Sequence, residues 1–297
     1  MLAPLLVAGS LMLRLTVGAA PSKNTQEATP TNIPGFISAG DYIQVGINYM
    51  GTLGVGPSAT DPGMGFSFPK GPKYECLAAW WWGQGFLVAY RTLEAGVWKD
   101  NVAYWQPSYG YPAPASCNLK AFKAPIIIRN DADAFELKCF VITTDSRLLI
   151  TRHWFFDKHQ PSIVVYTTIT NLWGELRDVM FKELVDWDVH TNTVDNKWVS
   201  HANSAWASYY NATLGYTVVA GVAGYAITPQ AAVYNIDLYE WDSMDLRSPG
   251  SYIVKSFEPI TGDYMAGLYF EIGNRMLPND AVTIKTVFTA GMYYPAY

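Results

Sequence analysis

The stretch KELVDWDVH, at positions 182–190, has the residue types of a metal site. Asp186, Asp188 and His190 recur at every second position, so that in a β-strand all three project from one face. Two carboxylates and an imidazole on one face form a ligand set for a divalent cation. The spacing therefore makes these residues candidate metal ligands.

A second interpretation needs no ligand. The residues between them, Val185, Trp187 and Val189, are apolar and would face a core, while the polar row faces solvent beside Lys182. We favour this solvated row and keep the metal site as the alternative. The sequence does not decide between the two.

The stretch AAWWWGQG suggests sugar binding. Sugars stack on exposed indole rings, and Trp80, Trp81 and Trp82 are followed by a glycine. Strand alternation would put Trp80 and Trp82 on one face and Trp81 on the other, so one face could offer a stacking platform. Burial in the core or in a subunit interface is the alternative.

The three cysteines differ in their settings. Cys76 and Cys117 lie in irregular sequence rich in Gly, Pro and Tyr, and they are candidates for a disulfide. Cys139 lies in FELKCFVI, where it would share one face of a strand with apolar residues, and we predict a buried thiol. The spacing has no C-x₂-C pattern of a zinc site.

Known catalytic signatures are missing from the sequence. It contains no G-x-S-x-G, H-E-x-x-H, P-loop or dinucleotide-binding motif. The four histidines have no recognisable catalytic context, and Glu271 is interpreted as a charged residue near a strand end. We therefore predict no catalytic residues and no cofactor, and we expect a role other than that of an enzyme.

The amino-acid composition restricts the possible partners and location of the protein. Only 15% of the 297 residues are charged, whereas 15% are aromatic, including 11 Trp and 20 Tyr. The net charge of −5 comes without a basic stripe, which argues against a nucleic-acid partner. A neutral, aromatic surface is typical of a protein that meets other copies of itself or glycans outside the cell. We therefore predict an extracellular or cell-surface location.

Period-two apolar patterns dominate the chain after its first 35 residues. Turn residues such as DKHQPS and LPND separate these runs, and no amphipathic helix pattern is found there. The predicted fold class is all-β, a large antiparallel two-sheet sandwich. The predicted strand-rich runs are 41–49, 85–91, 125–129, 134–142, 147–156, 162–170, 178–190, 215–226, 232–241, 263–273 and 281–294.

Three parts of the chain are predicted: an apolar segment at 1–20, a linker at 21–35 and the β domain at 36–297. The apolar segment carries one charge, Arg14, and can be interpreted as a helix after Pro4 or as a strand donated to a neighbour, of which we favour the helix. A cleaved signal peptide is the alternative to both. The candidate assembly residues are Leu5, Leu6, Leu11, Met12, Leu13 and Leu15.

Two stretches of the β domain resemble the strand order of a known family of β-sandwich proteins. The order DSRLLITRHWFFDKHQPSIVVYTTITNLWGELRDVMFKELVDWDVH, followed later by GLYFEIGNRMLPNDAVTIKTVFTAG, resembles the super-sandwich of galactose mutarotase-like proteins and of the N-terminal domain of bacterial glucoamylases. It departs from them where LPND replaces a Pro-Gly turn. The resemblance implies a two-sheet fold, with a histidine acid and a glutamate base in mutarotases and no catalysis in the glucoamylase domain.

The beginning of the chain resembles a different family. An apolar N-terminus followed by a β-rich outer domain is similar to archaeal type IV pilin-like filament subunits, although the basic leader and its glycine are absent. We therefore predict an extracellular structural protein, a self-assembling subunit of a surface filament or layer, whose N-terminal segment contacts membrane before assembly. The alternative is a secreted carbohydrate-binding or carbohydrate-active protein. Its partners would be surface glycans, and Asn211 in Asn-Ala-Thr is a candidate glycosylation site.

Overall fold

The computed structural model describes residues 35–56, 64–77, 83–105, 119–189, 196–229, 231–240, 260–262 and 264–293. Apart from 3₁₀ structure at Pro72–Tyr74 and at Val189, the regular structure in these ranges is β. The strands are β1 Gly35–Ala39, β2 Gln44–Asn48, β3 Phe66–Ser67, β4 Gln84–Glu94, β5 Val97–Trp105, β6 Leu119–Asn130, β7 Ala134–Thr143, β8 Leu148–Asp157, β9 Ser162–Asn171, β10 Leu176–Val185, β11 Lys197–Ser200, β12 Ser204–Asn211, β13 Tyr216–Ala226, β14 Ala232–Glu240, β15 Ile260–Thr261, β16 Tyr264–Met276 and β17 Ala281–Tyr293.

The strands form two large sheets and one small one. The order in the nine-stranded sheet is β15-β11-β12-β13-β17-β9-β8-β7-β6, and in the five-stranded sheet it is β14-β16-β10-β4-β5. A small sheet, β1-β2-β3, packs beside them, and the strand pairs are antiparallel. The predicted all-β antiparallel sandwich is confirmed, with the small sheet as an addition.

Alternating burial shows which face of each strand meets the core. In β8 the side chains of Ile150, Trp154 and Phe156 are fully buried, whereas His153 and its alternating neighbours are partly exposed. The indole of Trp154 stacks on Phe288 of β17, with 5.7 Å between ring centroids. The period-two pattern of the sequence therefore identifies the core face correctly here.

A buried ion pair joins the two large sheets. Arg152 of β8 donates from Nη2 to both carboxylate oxygens of Glu183 of β10, at 2.9 and 3.0 Å, and both side chains are fully buried. The amide of Gln84 also donates to Glu183. The guanidinium lies over the ring of Phe86, 4.7 Å from its centroid. Burial raises the pKa of Glu183, and the charge of Arg152 opposes that shift.

Glu75 is a second buried carboxyl group, next to the small sheet. It accepts hydrogen bonds from the backbone N–H groups of Gly65, Phe66 and Leu77, at 3.1, 2.5 and 3.3 Å. Desolvation raises its pKa to about 7, although these hydrogen bonds act in the opposite direction. The carboxyl group therefore titrates near neutral pH.

Candidate functional site

Four turns meet at one end of the sandwich. They connect β4 to β5, β7 to β8, β9 to β10 and β16 to β17, so that both large sheets contribute to this end. Backbone hydrogen bonds hold the turns together, because Leu172 N–H donates to the carbonyl of Arg147 at 2.7 Å and Asn279 N–H to that of Asn171 at 2.7 Å. Side chains from turns that are distant in sequence therefore share one surface.

Asn171 shapes the turn between β9 and β10. Its fully buried amide accepts from the N–H of Trp173 at 3.1 Å and donates to the carbonyl of Gly174 at 2.7 Å. Gly174 has a φ of 76°, a left-handed conformation that glycine adopts without strain. This geometry presents Trp173 to solvent with 69% of its surface exposed, the largest exposed fraction among the large hydrophobic side chains of the described residues.

One face of the Trp173 ring is occupied by a guanidinium. Arg147 lies 5.3 Å from the ring centroid, in the geometry of a cation–π contact. Two carboxylates hold the arginine, Asp145 of the turn between β7 and β8 at 3.6 Å and Glu94 at the end of β4 at 3.8 Å. Tyr90 donates its hydroxyl proton to Asp145 at 2.6 Å. Residues of β4 and of the turn between β7 and β8 therefore fix Arg147 against Trp173.

A second aromatic and guanidinium pair lies at the same end. Arg177 lies 4.4 Å from the ring centroid of the half-buried Trp98. Its Nε donates to Glu175 at 3.0 Å, and Arg275 donates to the other oxygen of the same carboxylate at 2.8 Å. We define the Trp173 surface by its two indoles, three guanidinium groups and three carboxylates, namely Trp98, Trp173, Arg147, Arg177, Arg275, Glu94, Asp145 and Glu175.

The electrostatics of the Trp173 surface favour ionised carboxylates. The hydrogen bond from Lys99, and then the charge of that lysine, lower the pKa of Glu94. The hydrogen bond from Arg177, followed by the one from Arg275, lowers the pKa of Glu175. The surface therefore offers hydrogen-bond acceptors beside guanidinium donors, arranged around indole rings.

The predicted row of Asp186, Asp188 and His190 differs from the structure. β10 ends at Val185, and the side chain of Asp186 is only 3% exposed. Lys182 is also buried, 4.8 Å from the ring centroid of Tyr269. The solvent-facing row is therefore wrong at these two positions, because the outer face of the five-stranded sheet is covered.

The covered face explains this error. A second cluster of apolar side chains lies there, away from the main core, and it includes the fully buried Leu184 and the nearly buried Leu87 and Tyr104. The metal site stays a prediction, since His190 lies outside the described residues. Within the described ranges, no three His, Cys, Asp or Glu side chains are grouped so as to hold a metal ion.

Several sequence predictions fall outside the described residues. These are the sugar-stacking residues Trp80, Trp81 and Trp82, the disulfide partner Cys117, and the assembly residues Leu5, Leu6, Leu11, Met12, Leu13 and Leu15. They stay predictions, as do the part boundaries at residues 20 and 35. Cys76, the other proposed half of the disulfide, is buried beside β3 and lies 3.9 Å from the carbonyl oxygen of Phe68.

Two other predictions are on described residues. Cys139 is a fully buried thiol, as predicted, and desolvation raises its pKa to about 12. Asn211 ends β12 at a turn, where its side-chain oxygen accepts from the N–H groups of Thr213 and Leu214 at 3.0 and 3.1 Å. The predicted turn is confirmed, and glycosylation of Asn211 stays a prediction.

Glu271 and two of the histidines lie apart from the Trp173 surface. Glu271 lies within β16 rather than near its end, opposite Met180 of β10. His153 contacts Glu136 at 3.3 Å on the outer face of the nine-stranded sheet. His159 contacts Asp41 at 2.8 Å, and that hydrogen bond raises its pKa.

Sequence reasoning missed the Trp173 surface. Trp173 lies in NLWGEL, between two strand patterns and directly before a glycine. Turns lie at the protein surface and most tryptophans are buried, so a tryptophan in a turn was the available signal. The arginine and carboxylate partners come from other turns, and their proximity depends on the sheet topology.

Comparisons with solved structures show the fold. The chain is similar to a bacterial glucoamylase complexed with acarbose, with a TM-score of 0.54 and 10% sequence identity over 92% of this chain and 34% of that one. Our chain therefore spans about a third of the length of the glucoamylase chain. This likeness confirms the predicted super-sandwich fold.

More distant similarities involve two other proteins. A GalM/aldose epimerase homologue from C. elegans has a TM-score of 0.41 and 8% identity, covering 87% of this chain and 99% of that one. An α-galactosidase from Geobacillus stearothermophilus has a TM-score of 0.40 and 11% identity, covering 87% and 41%. No protein-family model matches the chain, and no curated protein matches its sequence.

Among the described residues, none of the helical structure is long and apolar enough to cross a membrane.

Proposed function

We propose that the protein binds carbohydrate at the Trp173 surface. The observation that carries this proposal is an indole with 69% of its surface exposed, held in place by a buried asparagine and a guanidinium on one ring face. A pyranose ring has an apolar face of C–H groups, which packs on the free face of an indole. Its hydroxyl groups both donate and accept hydrogen bonds, and they match the surrounding carboxylates and guanidinium groups.

The charges favour an uncharged sugar. The three guanidinium groups of the Trp173 surface, Arg147, Arg177 and Arg275, are paired with the three carboxylates Glu94, Asp145 and Glu175. Because these charges largely offset one another, the surface does not need a ligand of opposite charge to balance it. A neutral oligosaccharide can instead share their remaining donors and acceptors.

The fold supports the same class of ligand. The glucoamylase with the similar fold was solved with acarbose, so this sandwich occurs in a protein that acts on carbohydrate. Function depends on the site rather than on the fold, and here the support from the site is the aromatic and charged surface described above. The proposal concerns binding, and an extracellular location fits it.

A glycan array and a calorimetric titration test the proposal. The full chain should bind at least one neutral oligosaccharide on the array, and Trp173→Ala should weaken that binding about tenfold or more because the stacking platform is removed. Tyr225→Ala is a matched control, because Tyr225 is 43% exposed and contacts Lys285, yet lies on the outer face of the nine-stranded sheet.

Each outcome decides the proposal. Retained binding in Tyr225→Ala together with loss in Trp173→Ala supports it, provided that both variants melt like the unmodified chain. Absence of binding to every neutral glycan, or equal binding by the two variants, would overturn it.

A further inference from the structure

Strand β6 is an edge strand with unusual exposure. Among the described strands it forms one end of the nine-stranded sheet and pairs with β7 alone. After the buried Leu119, four large apolar side chains are close to half exposed, with Phe122 at 54%, Ile126 at 47%, Ile127 at 46% and Ile128 at 48%. An edge strand normally buries one face against the core, and β6 does not.

Both faces of β6 are open. Ile126 lies opposite Lys138 of β7, and Ile127 lies opposite Leu137, so the two isoleucines point to opposite faces of the sheet. Leu137 is fully buried, whereas Ile127 on the same face is not. The strand therefore extends past the five-stranded sheet. No described strand pairs with its outer edge, which is interrupted by Pro125 and by register shifts on both sides of Ile126 and Ile127, and the strand has an apolar side chain on each face there.

The charges of β6 restrict what can pair with it. Lys120 and Lys123 give the strand two positive charges, whereas Arg129 is paired with Asp131 and Asp133 directly after the strand. Pairing of β6 with β6 of another copy would bring these charges together, which opposes that contact. A suitable partner strand is apolar and carries little charge.

We propose that β6 accepts residues 11–17 of a neighbouring copy as an added strand. In LMLRLTV, Leu11, Leu13, Leu15 and Val17 alternate with Met12, Arg14 and Thr16, and Arg14 is the single charge. Paired residues share a face, so the leucine row would continue the face of Ile127 and Leu137. Arg14 and Thr16 would then lie on the outer face.

The length of the chain before β1 allows this exchange. Residues 18–34 separate residues 11–17 from Gly35, the first residue of β1. An extended chain spans about 3.3 to 3.6 Å for each residue, so this linker reaches on the order of 55 Å, enough to cross to a second molecule. The added strand does not touch the Trp173 surface, and this proposal stands apart from carbohydrate binding.

Cross-linking between singly substituted full-length chains tests the proposal. One preparation carries Ile127→Cys, and the others carry Leu11→Cys, Leu13→Cys or Leu15→Cys, so that a shift in strand register is covered. Mixing and mild oxidation should give a covalent heterodimer of the Ile127 variant with at least one leucine variant. The matched control replaces Ile127→Cys with Tyr210→Cys, at a side chain 52% exposed on β12, and should give none above background.

Hydrogen exchange on the unmodified chain covers the case in which a variant misfolds. Amides of β6 should exchange about tenfold more slowly at high protein concentration than at low concentration, whereas those of β12 should not change. A heterodimer no more abundant than the control overturns the proposal. Hydrogen exchange of β6 that does not change with protein concentration also overturns it.

Discussion

At the scale of single residues, Glu75 makes folding stability depend on pH. Its pKa is raised to about 7 from an ordinary value of 4.5, because the carboxyl group is buried. The folded chain therefore holds a proton at this site that the unfolded chain has released between these two values. The stabilisation is complete below pH 4.5 and is lost as the pH rises through 7, about 3 kcal/mol in total.

Urea unfolding between pH 4 and 8 measures this effect. Glu75→Gln cannot titrate, so the free energy of unfolding of the unmodified chain, minus that of the variant, should fall by about 3 kcal/mol over this range. The subtraction removes the contributions of other titrating groups, such as His159. A difference that stays constant with pH would contradict the account.

At the scale of elements, the Arg152 and Glu183 pair connects β8 to β10. Glu183→Gln would leave the buried guanidinium without its counter-charge, and we expect a loss of about 3 to 5 kcal/mol in the free energy of unfolding. Chemical denaturation measures that loss. Arg275→Gln is the control, because its side chain is 61% exposed, and it should change the free energy of unfolding only slightly.

Replacing both members of the pair separates charge from packing. Because no uncompensated charge remains, the double variant Arg152→Met and Glu183→Leu should recover most of the stability that Glu183→Gln loses. A Glu183→Gln variant as stable as the Arg275→Gln control would show that the pair does not couple the sheets. A double variant less stable than Glu183→Gln would show that packing dominates.

The strands also show which parts of the fold could be predicted from sequence patterns. Clean alternation predicted β8 and β9 within one or two residues of their bounds, because each has one face on the core and one in solvent. β5 was missed, since VWKDNVAYW lacks such alternation. β10 ends at Val185, and its outer face is covered. The polar side chain of Asp186 therefore led to the wrong prediction that this residue is exposed to solvent.

At the scale of the whole molecule, the Trp173 surface exists only through the sheet topology. Trp173 was visible in the sequence as an indole in a turn, but Glu94 and Arg147 are 53 residues apart and meet because both sheets end at the same place. Local patterns carry no information about such long-range neighbours. Residues 1–20 were singled out for their apolar character, and their role in assembly stays a prediction because they lie outside the described residues.

The most direct measurement follows the tryptophan indole N–H signals by NMR during titration with the neutral oligosaccharide found on the array. The signal of Trp173, assigned from Trp173→Phe, should shift with saturation. The signals of Trp154, Trp187 and Trp198, all fully buried, should stay in place. An unchanged Trp173 signal during binding that shifts other indoles would contradict the account.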